Sequence, residues 1–503
     1  MHPPDRLARW WRWLGPALLA LGLALLVPPQ LAASGLPMDE GALLLYPHLL
    51  AQGMWPISDY QNLYGPANPV VLHMVYAVGP GFDLTLERLT GLVYKGLIVF
   101  AVYAVARRRD PVLGFAAGLL SAGLLVSTGP FAYAWYGAVA TGTWGVDLLI
   151  SERRWAQATG AGLLALSSAF RPELAVAALL VIGARALALR PRRHLVIGAA
   201  AGFVPLIAWI IGIGPGSFVT HFIGDALRTS AGRTLPLINT WFSHDMLILM
   251  TVAAPLILLG IWRRRRDASL VLAVWTIGLL PQALQRADME HIQGVACVAI
   301  PFALVALIPI HQRSARWCLL AGVGAAVTVM ALIPSVTRVA GSTLLQTFTG
   351  SRPSTVTVER DGRRMVLEVN PSSRNAARAI AMAAQVAPPG ARLFVGPSDL
   401  RRTAYTDTYV YYLLPQYRPA TYFLEMNPGL PNRSGSGLST QIRSADVVLL
   451  DATLNQGMFA DTEPGPSLPN RVLARYFCVV ARVGPWTVMR PCRPNRNRLD
   501  RAS

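Results

Sequence analysis

The feature that most constrains this chain is a succession of apolar windows, each about 17 to 22 residues long, the length an α-helix needs to cross roughly 30 Å of hydrocarbon. They begin with Leu14–Leu31, Leu86–Ala106, Val112–Thr128 and Phe131–Ile150. They continue through Trp155–Ala169, Leu174–Leu189, Leu195–Ile213, Met246–Trp262, Leu270–Leu284 and Ile292–Ile310 to Trp317–Pro334. The pattern predicts a polytopic α-helical membrane protein of about eleven spans. Composition agrees. Only 14% of the 503 residues are charged and mean hydropathy is +0.41, which would not keep a water-soluble globule of this size in solution. A further apolar stretch, Pro69–Gly79, is too short to span and carries His73, which fits an interfacial or re-entrant segment.

Basic residues exceed acidic ones by 19. Such an excess fits either nucleic acid or an anionic membrane surface, and position decides between them. The arginines cluster in short connectors between apolar windows: Arg107 to Arg109, Arg190 to Arg193 and Arg263 to Arg266. That is a topology signal, so the expected partner is the lipid bilayer and not nucleic acid. With these connectors and the Arg6, Arg9, Arg12 start on the cytoplasmic side, the segments 32–85, 170–173, 214–245 and 285–291 fall on the outer side. So does everything after about residue 340. The expected location is the cell (plasma) membrane, with nearly every remaining His, Asp and Glu on its outer face.

From about residue 351 the sequence turns polar and no further window is long enough to span. The expected division is a transmembrane module, 1–340, carrying the outer loop 32–85, and an extracytoplasmic α/β domain, 341–503. Thr355–Val369 alternates around Asp361-Gly362 and reads as a hairpin. Ser372–Val386 reads as a helix; Arg392–Val395, Ala420–Leu424 and Asp446–Leu450 read as short buried strands. Cys478 and Cys492 lie symmetrically about a Gly484-Pro485-Trp486 turn, where a hairpin disulfide would suit an oxidising compartment. Cys297 and Cys318 sit inside apolar spans, and no cysteine spacing marks a zinc site.

The chemistry-bearing residues gather on the outer side. Asp39-Glu40 follows the first span, and Asp59 lies in a second acidic position beyond Trp55-Pro56. A carboxylate at the membrane interface is partly desolvated, which raises its pKa toward the range of a general base. The plainer reading is that Asp39 and Glu40 occupy a helix first turn and Asp59 caps a turn. In the run Gln285 to His291, Arg286 and His291 are candidates for lipid-phosphate contacts, with Asp288 beside them as a metal-capable carboxylate; Arg171 makes the same phosphate case at another span end. The plain alternative is an interfacial loop whose charges pair with one another, or an arginine that snorkels.

An acidic pair just outside the first span, then Gly53-Met54-Trp55-Pro56-Ile57-Ser58-Asp59, then Tyr64-Gly65-Pro66, and an arginine, Arg88, opening the next span form a recognisable series. It resembles the first outer loop of the C-type glycosyltransferase superfamily, in the branch of the protein O-mannosyltransferases and the lipid A aminoarabinose transferase. The resemblance implies a multi-span helical module joined to an extracytoplasmic domain, a polyprenyl-phosphate sugar donor, and a catalytic aspartate in this loop. Carried onto this chain, Asp39 and Glu40 take the catalytic positions and Asp59 the second acidic one. The pair here is Asp-Glu, which leaves open whether Mg or Mn, held by Asp59 and Asp288, takes part.

Two functions compete on the sequence alone. One is a membrane glycosyltransferase acting at the outer face on a glycan, lipid or protein acceptor, with Asp39 as general base. The other is a polytopic transporter or lipid flippase, which calls for ionisable groups near mid-membrane and internal repeats. The confinement of charge to one face favours the enzyme. The topology carries its own test: single cysteines at positions 40 and 399 are expected to react from the same, non-cytoplasmic side, and labelling from opposite sides overturns the span assignment.

Overall fold

In the computed structural model, residues 6–189, 192–233, 243–262, 268–307, 331–350, 354–456 and 464–492 are described, with the single residues 324 and 328. The apolar windows fold as helices that shuttle between two ends of a bundle. Helix α1 (Arg6–Leu31) is followed by two short helices of the first long loop, α2 (Asp39–Ala51) and α3 (Ala67–Val78). Next come α4 (Leu84–Arg107), α5 (Pro111–Val126), α6 (Ala134–Leu149), α7 (Arg154–Phe170), α8 (Leu174–Ala188) and α9 (Arg193–Ile213). A π-helical turn, Phe218–Gly224, runs into Asp225–Arg233, and the helices Ser243–Trp262, Ser269–Gln285, Met289–Leu307 and Pro334–Thr349 follow.

Local sequence sets several boundaries. The Asp83 and Asp110 carboxylates accept the first free backbone N–H groups of α4 and α5, and Pro111 occupies the first turn of α5, where its missing N–H costs nothing. Helix α7 approaches α9 closely because Gly198 and Gly202 of α9 lie against backbone at Ala158 and Gly162 of α7. Among the described residues four helices are long and apolar enough to cross a membrane: Trp10–Leu31, Leu84–Arg107, Arg193–Ile213 and Met289–Ala306. The other windows up to Ile292–Ile310 fall on shorter apolar helices, and the short stretch Pro69–Gly79 is α3, packed beside α2. Most of the last window, Trp317–Pro334, lies outside the described residues, as do Cys318 and the connector Arg263 to Arg266. At one bundle end Arg108 pairs with Asp147 at 2.6 Å; the opposite end carries the loops with Asp39, Arg171 and Arg286.

The C-terminal part begins with an antiparallel hairpin of β1 (Thr355–Arg360) and β2 (Arg363–Glu368), its Asp361-Gly362 turn at positive φ as the sequence predicts. The helix Pro371–Val386 starts at a capping box on Asn370. It packs on a five-stranded mixed sheet of β3 (Arg392–Pro397), β4 (Arg418–Pro419), β5 (Val447–Asp451), β6 (Phe477–Val483) and β7 (Trp486–Pro491). Their order across the sheet is β4-β3-β5-β7-β6. β3 runs parallel to β4 and β5; β7 runs antiparallel to β5 and β6. Cys478 and Cys492 are joined by a disulfide across the β6–β7 hairpin. The strand expected at Ala420–Leu424 is not formed. The Gln441 side chain takes the Thr421 hydroxyl at 2.8 Å and the Tyr422 N–H at 3.0 Å, which draws the chain out of the ladder just after β4. The helix Pro334–Thr349 runs across the boundary expected at residue 340 and packs on α1 and α5.

The sheet domain sits on the first long loop. The Gly35 N–H donates to Val366 O at 2.7 Å, Gln61 N–H to Tyr422 O at 2.8 Å, and Tyr409 N–H to Pro37 O at 3.2 Å. Gly41 permits this docking, since a Cβ there would run into the Tyr409 backbone. Glu40 is wholly buried, so an exposed position of the same loop, such as Gln52, is the one to label. Gly41→Ala is expected to loosen the docked domain at a cost of about 1–3 kcal/mol, the usual range for overpacking. A lower thermal midpoint in detergent, with earlier proteolytic release of the sheet domain, is the readout.

Candidate active site

Along α2 the side chains of Asp39, Ala42, Leu43, Tyr46 and Pro47 line a cavity of about 760 Å³. The spacing i, i+3, i+4, i+7, i+8 is one face of an α-helix. Asp39 stands in the first turn, where the helix dipole favours a carboxylate. Glu40, one residue on, is turned about 100° away and faces α4.

There Glu40 meets Arg88. Nε donates to Oε1 at 2.7 Å and Nη2 to Oε2 at 3.0 Å, while Nη1 donates to the carbonyls of Leu31 and Ala33, both at 2.7 Å. Both side chains are sealed from solvent, 0% and 1% exposed. Glu40 does not line the cavity, which corrects its expected place in the reacting pair: a carboxylate whose two oxygens are held by one guanidinium is committed to the fold.

Opposite α2, the cavity wall carries Arg171, Arg286, Asp288 and His291. The Arg171 guanidinium lies 5.3 Å from the ring centres of both Tyr64 and Trp135, donates to Gln282 Oε1 at 2.9 Å and pairs with Glu173. Gly65 lets the Tyr64 loop close on α7: a Cβ there would strike Ala169 O, and its N–H donates to Phe170 O at 2.9 Å. Arg286 pairs with Asp288 at 2.6 Å and donates to the Tyr405 hydroxyl at 3.2 Å; Asp288 also holds His291 Nδ1 at 2.7 Å. Burial works to raise the Asp288 carboxyl, but the His291 and Arg286 contacts outweigh it and hold the group below the ordinary value. A further wall is apolar, with Leu206 and Ile210 of α9 and Phe218, Phe222 and Ile223 of the π-helical turn.

Asp39, Arg171 and the group Arg286, Asp288 and His291, from three separate stretches of the chain, line one cavity. Asp59 does not join them. It lies on a turn outside the cavity lining and accepts the Trp55 N–H at 2.7 Å, the plainer of its two readings. Asp59 and Asp288 are thus not brought together around Mg or Mn. Among the described residues no three His, Cys, Asp or Glu side chains converge as a ligand set.

Sequence reading passed over Glu425, which lines the cavity from the sheet domain. The Tyr46 hydroxyl donates to its Oε1 at 2.5 Å and Asn427 Nδ2 to its Oε2 at 2.8 Å. Burial, and then the Glu425 carboxylate, push the Tyr46 hydroxyl well above its ordinary pKa, so it remains a donor. Tyr46 and Glu425 are 379 residues apart, and no local pattern links them. Asn62 was also missed, although it lies only two residues before Tyr64.

The sequence matches no protein-family model and no curated protein. Solved structures do match. ArnT from Cupriavidus metallidurans bound to undecaprenyl phosphate aligns over 94% of this chain and 97% of its own, with a TM-score of 0.53 at 13% identity. The apo form of the same protein gives 96% and 98%, at the same TM-score and identity. The arabinofuranosyltransferase AftD from Mycobacteria aligns over 97% of this chain but 40% of its own, with a TM-score of 0.50 at 16% identity. Identity this low establishes the fold. The shared fold is a helical bundle followed by a C-terminal sheet, and it holds over nearly the whole chain.

The Glu40–Arg88 pair sets up a double-mutant test. Arg88→Met alone leaves a buried, unbalanced carboxylate and is expected to lower stability by about 3–5 kcal/mol. Glu40→Gln together with Arg88→Met removes both charges and is expected to restore a large part of the loss, read as thermal midpoints in detergent.

Proposed function

We propose that the protein is an integral-membrane glycosyltransferase that moves a sugar from a polyprenyl phosphate to a cell-envelope acceptor, be it glycan, lipid or protein, at the outer face of the membrane. The observation that carries this reading is the composition of one cavity: the Asp39 carboxylate, the guanidiniums of Arg171 and Arg286, each paired with a neighbouring acid, and the His291 imidazole share it with further acids and with a wall of aliphatic and aromatic side chains. A lipid-linked sugar phosphate has the same division, with an isoprenoid chain for the apolar wall and a phosphate for the cations. The fold it shares with ArnT, solved with undecaprenyl phosphate, supports the donor class, and the distribution of arginine connectors supports the outer face.

In this reading the reaction is a direct displacement. Asp39 accepts the proton of the acceptor hydroxyl as its oxygen attacks the anomeric carbon, and the bond from that carbon to the phosphate oxygen breaks. The departing lipid phosphate takes up the electron pair, and Arg286, Arg171 and His291 stabilise its charge. Glu40 does not react; through Arg88 it fixes the first turn of α2 and thereby the direction of Asp39. Lys95, buried midway along α4, is the kind of group a transporter would display. Its ammonium lies 4.7 Å from the centre of the Tyr136 ring, and Tyr136 belongs to the same cavity wall, which ties it to this site.

Asp39→Asn is expected to abolish transfer from polyprenyl-phosphate sugars while the protein remains folded in detergent and still binds undecaprenyl phosphate. Transfer is followed by comparing lipid-linked sugars and envelope glycans with and without the variant; full retained activity refutes the assignment of the base.

A further inference from the structure

Three polar residues of the same cavity take no part in holding the lipid phosphate. Glu425 is 4% exposed and is hydrogen-bonded only by neutral donors, the Tyr46 hydroxyl and the Asn427 amide; among the described residues no cation pairs with it. Asn62 is 2% exposed. Its Oδ1 accepts the Tyr64 N–H at 3.0 Å, but its Nδ2 is buried with no hydrogen-bond partner. The Tyr133 hydroxyl is buried and equally unpartnered. All three residues line the cavity. Buried polar groups left without partners are costly, and a concentration of them in the wall of a cavity marks a place where a ligand supplies the missing bonds.

Resting on the glycosyltransferase reading, we infer that Glu425, Asn62 and Tyr133 form a subsite for the hydroxyl groups of an uncharged sugar, with Glu425 excluding sugars that carry a carboxylate. The chemistry is complementary. A sugar hydroxyl donates to the remaining lone pairs of Glu425 and accepts from Asn62 Nδ2, and the Tyr133 hydroxyl does either. A uronate would bring a second anion against a buried carboxylate with no balancing cation, which is strongly unfavourable.

The geometry ties this subsite to the reacting centre. Tyr46 lies seven residues from Asp39 on the same face of α2, roughly 10 Å along the helix at 1.5 Å per residue, so a sugar held by Glu425 extends toward the proposed base. Because Glu425 belongs to the sheet domain, sugar selection is built from both halves of the chain. The same hydroxyl chemistry arises from the sugar of the donor or from a sugar acceptor.

The test uses the full chain in nanodiscs. Binding is measured for undecaprenyl phosphate alone, for undecaprenyl phosphate carrying a neutral pentose, a neutral hexose or a hexuronate, and for the corresponding free methyl glycosides. Wild-type protein is expected to bind at least one neutral sugar probe and to reject the hexuronate. Asn62→Ala is expected to weaken neutral-sugar binding about tenfold, the worth of a strong buried hydrogen bond. Glu425→Gln keeps the contacts with Tyr46 and Asn427, because the amide oxygen faces Asn427 and the amide nitrogen faces the tyrosine oxygen. It is expected to weaken neutral-sugar binding and to admit the hexuronate, a gain that a merely structural role would not produce. Both variants should bind undecaprenyl phosphate alone within about twofold of wild type, a difference of a few tenths of a kcal/mol. Selectivity that shifts on the lipid-linked probes assigns the subsite to the donor, and on the methyl glycosides to the acceptor. Unchanged sugar selectivity in both variants, or an equal loss of bare lipid-phosphate binding, overturns the subsite. Failure of wild-type protein to bind undecaprenyl phosphate at all instead counts against the glycosyltransferase reading itself.

Discussion

A buried ion pair and the backbone it holds organise one end of this molecule. Arg88, near the start of α4, reaches two carbonyls at and just beyond the end of α1, those of Leu31 and Ala33, and both oxygens of Glu40 at the start of α2. Three segments that share no local sequence are thereby fixed at one point. A guanidinium suits the task because its planar set of donors serves a carboxylate and two carbonyls at once, whereas an ammonium would offer fewer directions. Such a pair gains little over an apolar contact of the same shape once desolvation is counted, and breaking one half is far worse than replacing both. Its contribution is specificity of arrangement: the first turn of α2 has one orientation, and Asp39 stands on that turn.

The rotation of a helix then separates two adjacent acids. One step of about 100° sends Glu40 into protein and Asp39 into the cavity. The same face of α2 carries Tyr46, and Tyr46 reaches the sheet domain through Glu425. The backs of these segments are equally constrained, with Gly41 against Tyr409 and Gly35 against the β2 backbone. The sheet domain is therefore part of the wall around the site. Loops at a bundle end are poor at holding side chains to a fraction of an ångström, and a packed sheet laid across them supplies the rigidity that a reacting constellation needs.

Most of the helical architecture was legible because the bilayer imposes a length on apolar windows and a charge bias on the connectors between them. The hairpin at Asp361-Gly362, the helix over 371–386 and the cysteine pairing were legible for a similar reason, each being specified within a short stretch. The strand expected at Ala420–Leu424 failed because a distant side chain, Gln441, competes for its backbone and hydroxyl groups. Within the site, Asp39, Arg171, Arg286 and His291 stood out as charges at span ends. The resemblance made Asp39 the base and Glu40 its neighbour, but the residue types alone did not divide them, since both fit a helix start equally well until the helix has a phase and a neighbour. Glu425 was invisible because its partner lies 379 residues away, and Asp59 was overvalued because spacing alone cannot distinguish a turn cap from a ligand.

The cavity cations are held in place by acids of their own loops. Neither Arg171 nor Arg286 waits as a bare charge: each is ion-paired with an acid two residues further on, Glu173 and Asp288. Isolated guanidiniums at the edge of an apolar cavity would be costly to keep desolvated and would adopt many rotamers. Pairing fixes their planes in advance, with aromatic rings flanking one of them and a tyrosine hydroxyl touching the other. A phosphate arriving in the cavity would meet donors already oriented, and part of the attraction would offset competition from the resident acids. That trade lowers ground-state affinity while preserving geometry. In the proposed reaction that trade suits a group that holds charge most strongly as the leaving phosphate acquires it, because only interactions that strengthen in the transition state accelerate a reaction.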